Sequence, residues 1–211
     1  MVEAGAKGVA KMHRRGVLMA AVALVALVGL AVAAEAGSVS GTVTDSAGGQ
    51  GINKALVVLV SGTTPVAAGR SASNGHYELA GVANGAYTIV VSANNYAPKA
   101  DNVTVNGDLT LNVPLRKLTG PDYKSLGRIV GFVKSTANKP VANALLLLVR
   151  GNAVVGASQP ENATGVYELQ WYTPGTYTVI GVAPGHKTAT YPGQVIAAGE
   201  SLMLEVALEP K

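Results

Sequence analysis

The chain has 211 residues, 48% hydrophobic and only 13% charged, which excludes a disordered chain and leaves room for one large or two small domains. It has no cysteine, so a disulfide framework, a thiolate metal site, an iron–sulfur cluster and a cysteine nucleophile are excluded. The formal charge of +4 draws on Lys7, Lys11, Arg14 and Arg15; from Gly37 onward twelve cations meet ten carboxylates in scattered order, which speaks against nucleic acid as a partner.

Residues 1–36 read as an export signal. His13, Arg14, Arg15 and Gly16 precede an apolar run over 17–34, and Ala34-Glu35-Ala36 then offers small residues to a signal peptidase, with cleavage before Gly37. The cations stay on the inner side while the apolar helix partitions into the bilayer. The run is longer than an ordinary signal core and close to the length of a spanning helix, so a cleaved signal peptide and an uncleaved signal anchor both fit. Arg14-Arg15 admits the twin-arginine route beside the general secretory one, and Met12 is an alternative start. Each version places residues 37–211 in the periplasm, outside the cell or on its surface. The membrane is touched only through the N-terminal segment, if it is uncleaved.

The next 80 residues (37–116) read as a first unit of short strands: 38–44, 55–61, 66–70, 76–79, 87–93, 100–105 and 109–115. Ala47-Gly48-Gly49, Ser73-Asn74-Gly75, Ala83-Asn84-Gly85 and Asn106-Gly107-Asp108 supply the turns between them. Tyr77 and Leu79 alternate with Glu78, and Tyr87, Ile89 and Val91 alternate with Thr88 and Val90, as half-buried strands require. A linker at 117–126, marked by Gly120-Pro121 and mixed charge, is short enough to restrict the orientation of what it joins. Leu118 and Tyr123 are placed to tuck into the junction. Residues 127–211 then repeat the first unit. Asn74-Gly75-His76-Tyr77-Glu78-Leu79 returns as Thr164-Gly165-Val166-Tyr167-Glu168-Leu169, and Gly85-Ala86-Tyr87-Thr88 as Gly175-Thr176-Tyr177-Thr178, both ninety residues on. The expectation is an all-β chain: two tandem antiparallel β-sandwiches of about seven strands each, preceded by a signal helix.

The order Gly-x-Val, Ala-x-Val-x-Leu, Gly-x-Tyr-x-Leu, Gly-x-Tyr-x-Val resembles the carboxypeptidase regulatory-like domain. In the first copy it is carried by Gly41, Val43, Ala55, Val57, Leu59, Gly75, Tyr77, Leu79, Gly85, Tyr87 and Ile89; in the second, by Gly131, Val133, Ala144, Leu146, Leu148, Gly165, Tyr167, Leu169, Gly175, Tyr177 and Val179. The resemblance implies an Ig-like, prealbumin-type sandwich of the carbohydrate-binding-like group, used as a non-catalytic accessory module. The motif residues it covers are turn glycines and core side chains, so it carries over no chemistry.

The residues themselves offer no catalytic set. Zinc peptidase chemistry needs a His-x-x-Glu pair and a distant His, whereas the exported part has only His76, with Glu78 two residues on, and His186 beside a Pro-Gly turn. There is no Gly-x-Ser-x-Gly elbow, phosphate loop, dinucleotide glycine pattern or calcium loop. Glu78 and Glu168 fall in separate units rather than across one cleft. A pilin-type Lys–Asn isopeptide is not expected, because the first copy has Asn112 late but no early Lys and the second has Lys134 early but no late Asn. No enzyme, cofactor or metal is expected.

Two surfaces remain. Trp171, the single tryptophan, aligns with Gly81 and is the best platform for a sugar ring, with Gln170 beside it and Tyr191 and Tyr96 as weaker candidates. Capping of the sandwich or packing at the linker is the other use for Trp171, and Tyr172, aligned with Val82, is the expected core member. The second strand of each copy is apolar on both faces. Leu56, Val58 and Val60, and again Leu145, Leu147 and Val149, point away from the core and need cover from the sister domain, a loop or a partner chain. The functional expectation is an exported, non-catalytic binding or structural module whose partner is an envelope protein complex, with a polysaccharide as the alternative.

Overall fold

The computed structural model describes residues 36–160 and 163–211, so the export segment 1–36 lies outside the described residues except for Ala36. The first sandwich consists of β1 (Ala36–Asp45), β2 (Leu56–Ser61), β3 (Thr64–Arg70), β4 (His76–Ala83), β5 (Gly85–Ser92), β6 (Lys99–Val105), β7 (Leu109–Thr110) and β8 (Val113–Leu115). A one-turn helix, α1 (Asp122–Ser125), interrupts the linker. The second sandwich repeats the first as β9 (Gly127–Ser135), β10 (Leu145–Arg150), β11 (Ala153–Ser158), β12 (Val166–Tyr172), β13 (Gly175–Val182), β14 (Ala189–Ile196), β15 (Ser201–Met203) and β16 (Val206–Leu208). Each sandwich has one sheet of order β3-β2-β5-β6 or β11-β10-β13-β14. It faces a sheet built on β1 or β9, flanked by β4 or β12 on one side and by the two short last strands on the other.

Alternation decides what is inside. Val39 and Val43 of β1, Val57 and Leu59 of β2, Tyr77 and Leu79 of β4, and Ile89 and Val91 of β5 meet in the first core. Ile129, Val133, Leu146, Leu148, Tyr167, Leu169 and Val179 do so in the second.

One strand departs from expectation. The last strand of each unit is not continuous and not antiparallel. It breaks at Leu111–Asn112, and both pieces run parallel to β1; β15 and β16 do the same on β9. The break has an atomic cause that is shared by both copies. The Leu111 carbonyl turns inward and accepts the Tyr77 hydroxyl at 2.7 Å, and the Leu204 carbonyl accepts the Tyr167 hydroxyl at 2.9 Å. A Cβ on Gly41 would lie 2.0 Å from the Leu111 oxygen, and one on Gly131 would lie 1.9 Å from the Leu204 oxygen. The first motif glycine therefore makes room for the carbonyl that the first motif tyrosine holds. In the first copy, Asn112 adds to the kink by accepting the Thr42 N–H and hydroxyl, each at 3.0 Å. The second motif tyrosine has its own task. Tyr87 donates to Ala83 O at 2.8 Å and Tyr177 to Thr173 O at 2.6 Å, closing the turn four residues back.

The outward side chains of the second strands are covered from within the chain. Leu56, Val58 and Val60 form a third buried cluster with Leu145, Leu147 and Val149, joined by Val90, Val154 and Ile180. The two four-stranded sheets thus lie back to back, with β11 against β5, β6 and β2. Such a seam suits two copies tethered by ten residues. Each fully buried Leu or Val is worth roughly 1.5–3 kcal/mol, and the tether holds the sister face at high local concentration.

Candidate functional site

The seam ends in a linker clamp and a cleft. Arg116, just after β8, grips the Asp122 carboxylate with two hydrogen bonds of 2.8 and 3.0 Å. Asp122 also accepts the N–H and hydroxyl of Thr119 at 2.8 and 2.9 Å. The Arg116 bonds, helped by Thr119, hold the Asp122 carboxyl far below its ordinary range. Leu118 is buried, and its N–H reaches Asn95 O at 2.8 Å. Tyr123 then stands edge-on to Trp171, ring centroids 4.6 Å apart, while the Arg128 guanidinium lies 5.2 Å from the Trp171 ring centre. Arg128 in turn meets Glu168 at 2.6 Å, and Gln170 donates to Glu168 and to Asn94 of the first sandwich, each at 2.9 Å. One network therefore crosses from linker to both sandwiches.

The clamp is strained on purpose. Trp171 sits at φ 62° in a bulge of β12, and Asn95 at φ 65° in the β5–β6 turn. Ninety residues away the sister copy puts glycine in each place, Gly81 at φ 71° and Gly185 at φ 72°. A side chain in this region costs about 1–2 kcal/mol that glycine avoids, and both side chains that bear this cost flank the linker.

Below the clamp a cleft of about 610 Å³ opens between the sandwiches. The first sandwich lines it with Asn53 and Lys54 before β2, Arg70 at the end of β3, and Asn94, Tyr96 and Pro98 after β5; the second contributes Ser158 at the end of β11, Gln159 after it, and Val166 to Glu168 and Gln170 of β12. Arg70 donates to Lys54 O at 3.1 Å and to Gln159 O at 3.3 Å, tying the two walls together. Such a volume at a domain junction is typical of a ligand site.

The sequence-expected residues are distributed as follows. Gln170 lines the cleft, while Trp171, half-buried, packs on Tyr123 and Arg128, which is the linker packing that was its other expected use. Tyr191 lies in the other sheet, on β14, where its hydroxyl bonds both the N–H (2.8 Å) and the carbonyl (3.1 Å) of Ala207. It pins β14 to β16 and does not join Trp171. Tyr96 lines the cleft and donates to Asp45 at 3.1 Å. Leu56, Val58, Leu145 and Leu147 were also offered to a partner chain; they are spent on the seam, because the sister sheet is apolar at the same positions and covers them first. His76 is exposed, and His186 Nδ1 lies 2.9 Å from Pro184 O. Lys134 pairs with Glu205 at 2.7 Å. Among the described residues no three His, Cys, Asp or Glu gather as metal ligands, and no helix is long and apolar enough to cross a membrane.

Lys54, Arg70 and Arg128 were missed by sequence reasoning, whereas Tyr123 was expected at the junction and packs there on Trp171. A side chain standing where the sister copy has glycine, as at Asn95 and Trp171, was the legible signal for two neighbours of this region.

Replacing Trp171 with Gly relieves the backbone and removes the packing on Tyr123 and Arg128. The expected result is a small change in melting temperature with faster tryptic cleavage at Lys117 and Lys124 in the linker. Unchanged cleavage would show that Trp171 does not hold the linker.

Comparison with known proteins places the chain. No curated protein matches it in sequence. Among solved structures it is similar to the Bacillus anthracis TIE protein, at 15% identity and a TM-score of 0.35 over 83% of this chain and 34% of that one. It is also similar to a Streptococcal ancillary pilin, at 14% identity and 0.32 over 84% and 63%, and to the shaft pilin spaA from Lactobacillus rhamnosus GG, at 12% identity and 0.30 over 83% and 98%. The chain spans about a third of the first of these and just under two thirds of the second. The model of the carboxypeptidase regulatory-like domain matches residues 38–116 and 128–209, one match on each sandwich. With both sandwiches matched and the motif glycines and tyrosines seated alike in each, the chain belongs to the carboxypeptidase regulatory-like domain family.

Proposed function

We propose that this chain is an exported, non-catalytic interaction module of the cell envelope, offering two fused sandwiches to a protein partner as one rigid body. The observation that carries this reading is the buried seam of Leu56, Val58, Leu145 and Leu147, reinforced by the linker clamp. Two domains so joined keep a fixed geometry between their loops, which suits recognition and spacing rather than the opening and closing of many enzyme sites. Three of the residues with perturbed acidity have structural tasks. Asp122 caps the linker turn, and Tyr77 and Tyr167 hold the kink carbonyls. The polysaccharide reading has less support, since the Trp171 ring and the Tyr191 hydroxyl are engaged within the chain.

In-cell crosslinking of the tagged full chain, followed by envelope fractionation, tests this. The expected result is a defined envelope protein crosslinked to the wild type and lost from Leu147→Asp, in which a buried charge opens the seam. A cytosolic chain without crosslinks would refute it, as would glycan-array binding abolished by Trp171→Ala.

A further inference from the structure

We infer that the inter-sandwich cleft is a docking site for an extended acidic peptide segment of the partner, laid along the edge of β12. This rests on the interaction-module reading and names the partner's chemistry.

Three observations converge on it. The first is charge. Lys54 and Arg70 are the cations of the cleft and Glu168 is its carboxylate. Glu168 is already neutralised by Arg128 at 2.6 Å and held by Gln170. No salt bridge joins Lys54 or Arg70 to a carboxylate among the described residues. The Arg70 bonds go to backbone carbonyls, so among the described residues no carboxylate compensates its charge. The cleft therefore presents net positive charge to whatever enters it.

The second is the strand edge. β12 is the terminal strand of its sheet, and among the described residues its backbone pairs with β9 alone. The cleft wall includes the consecutive residues Val166, Tyr167 and Glu168, whose side chains alternate out and in. It therefore meets the strand along its edge and not on one face. An open edge offers a row of N–H and C=O groups that an extended peptide backbone answers in register, while a sugar ring does not.

The third is the asymmetry between the copies. Val166 lies opposite Phe132 on β9, and the two are 42% and 44% exposed. Ninety residues earlier the corresponding pair is His76 and Thr42, both polar. Only the second sandwich thus continues the edge into an apolar face, ready for the hydrophobic side chains of an added strand.

The test is panning of a random dodecapeptide display library on the immobilised full chain, followed by anisotropy titration of the enriched peptides. The expected peptides alternate apolar residues with Asp or Glu, and Lys54→Glu and Arg70→Glu each weaken them by about tenfold or more. Lys54 is exposed and among the described residues its side chain makes no bond, so Lys54→Glu keeps the wild-type melting curve, which guards against a folding artefact. No enrichment, enrichment without acidic residues, or affinity indifferent to both substitutions overturns the proposal. Polygalacturonate bound with the same Lys54 and Arg70 dependence, while no peptide is enriched, overturns it in favour of an acidic sugar. An envelope protein crosslinked equally to wild type and Lys54→Glu overturns the cleft and leaves the interaction role standing.

Discussion

Gly131→Ala is expected to destabilise the second sandwich by about 3 kcal/mol or more, although it adds one methyl group. The new Cβ would lie 1.9 Å from the Leu204 oxygen and 2.7 Å from its carbon. Both are backbone atoms at the kink between β15 and β16, so no side chain can swing away. Moving Leu204 also breaks the bond from the Tyr167 hydroxyl, so the collision and a lost buried hydrogen bond coincide. Thermal unfolding measures this: a fall of roughly 10 °C or more is expected. Gly41→Ala should behave alike, its Cβ meeting the Leu111 oxygen at 2.0 Å. Gly48→Ala is the control. No atom lies within 4 Å of its Cβ, so its effect should stay within about 0.5 kcal/mol. Equal melting temperatures for Gly131→Ala and Gly48→Ala would mean that the kink carbonyl does not sit where the motif glycine requires it.

These positions also show what a single sequence can and cannot disclose. That Gly41 and Gly131 recur ninety residues apart was legible, as were the alternation of Tyr77 with Leu79 and the turn at each Asn-Gly. That the glycine serves a carbonyl some seventy residues downstream was not, because a kink in the last strand has no local signature. Residues 109–115 read as one continuous strand, since Leu109, Leu111, Val113 and Leu115 keep perfect alternation through the break. The parallel pairing with β1 is equally silent, because an apolar alternating strand fits either direction. The double-sided second strands were legible as surfaces in need of cover, but the identity of the cover was not. Sister sheet and foreign chain require the same leucines. At the site, the alignment of Trp171 with Gly81, and of Tyr172 with the core position Val82, suggested a partly exposed ring near a loop, with packing at the linker as its other use. What that alignment did not disclose was the positive φ at both positions, which signals that a side chain is held there by its neighbours. Lys54 and Arg70 stayed hidden because scattered cations become a site only once two sandwiches are folded against each other.

Above pH 10 the protein should lose stability steeply, and phenol protonation is the reason. Burial raises the Tyr77 hydroxyl from 10.0 to about 12, and burial raises Tyr167 and Tyr172 further still. In the unfolded chain these phenols ionise near their ordinary value, while the folded chain keeps the protons. The folded state then binds more protons than the unfolded one, so stability must fall as pH rises. The contribution is fully present below pH 10 and is lost as pH climbs through the folded values; for Tyr77 the loss is complete near pH 12. Each retained proton is worth about 1.4 kcal/mol per pH unit, so three such tyrosines give a slope of about 4 kcal/mol per unit. Denaturant titrations between pH 8 and pH 11.5, with tyrosinate absorbance followed in parallel, measure the slope. The three Phe variants should separate by what each hydroxyl does at neutral pH. Tyr77→Phe and Tyr167→Phe flatten the alkaline limb and also cost about 1–2 kcal/mol at pH 7, since Leu111 O and Leu204 O lose their donors. Tyr172→Phe should flatten the limb at almost no neutral cost. Its hydroxyl passes through the gap at Gly156, where a Cβ would lie 2.0 Å away, and meets Ser92 of the other sandwich without a well-formed hydrogen bond on either side. An alkaline limb that is the same in wild type and in the triple Phe variant would remove the phenols from the account, and with them the tight closure of both cores around their motif tyrosines.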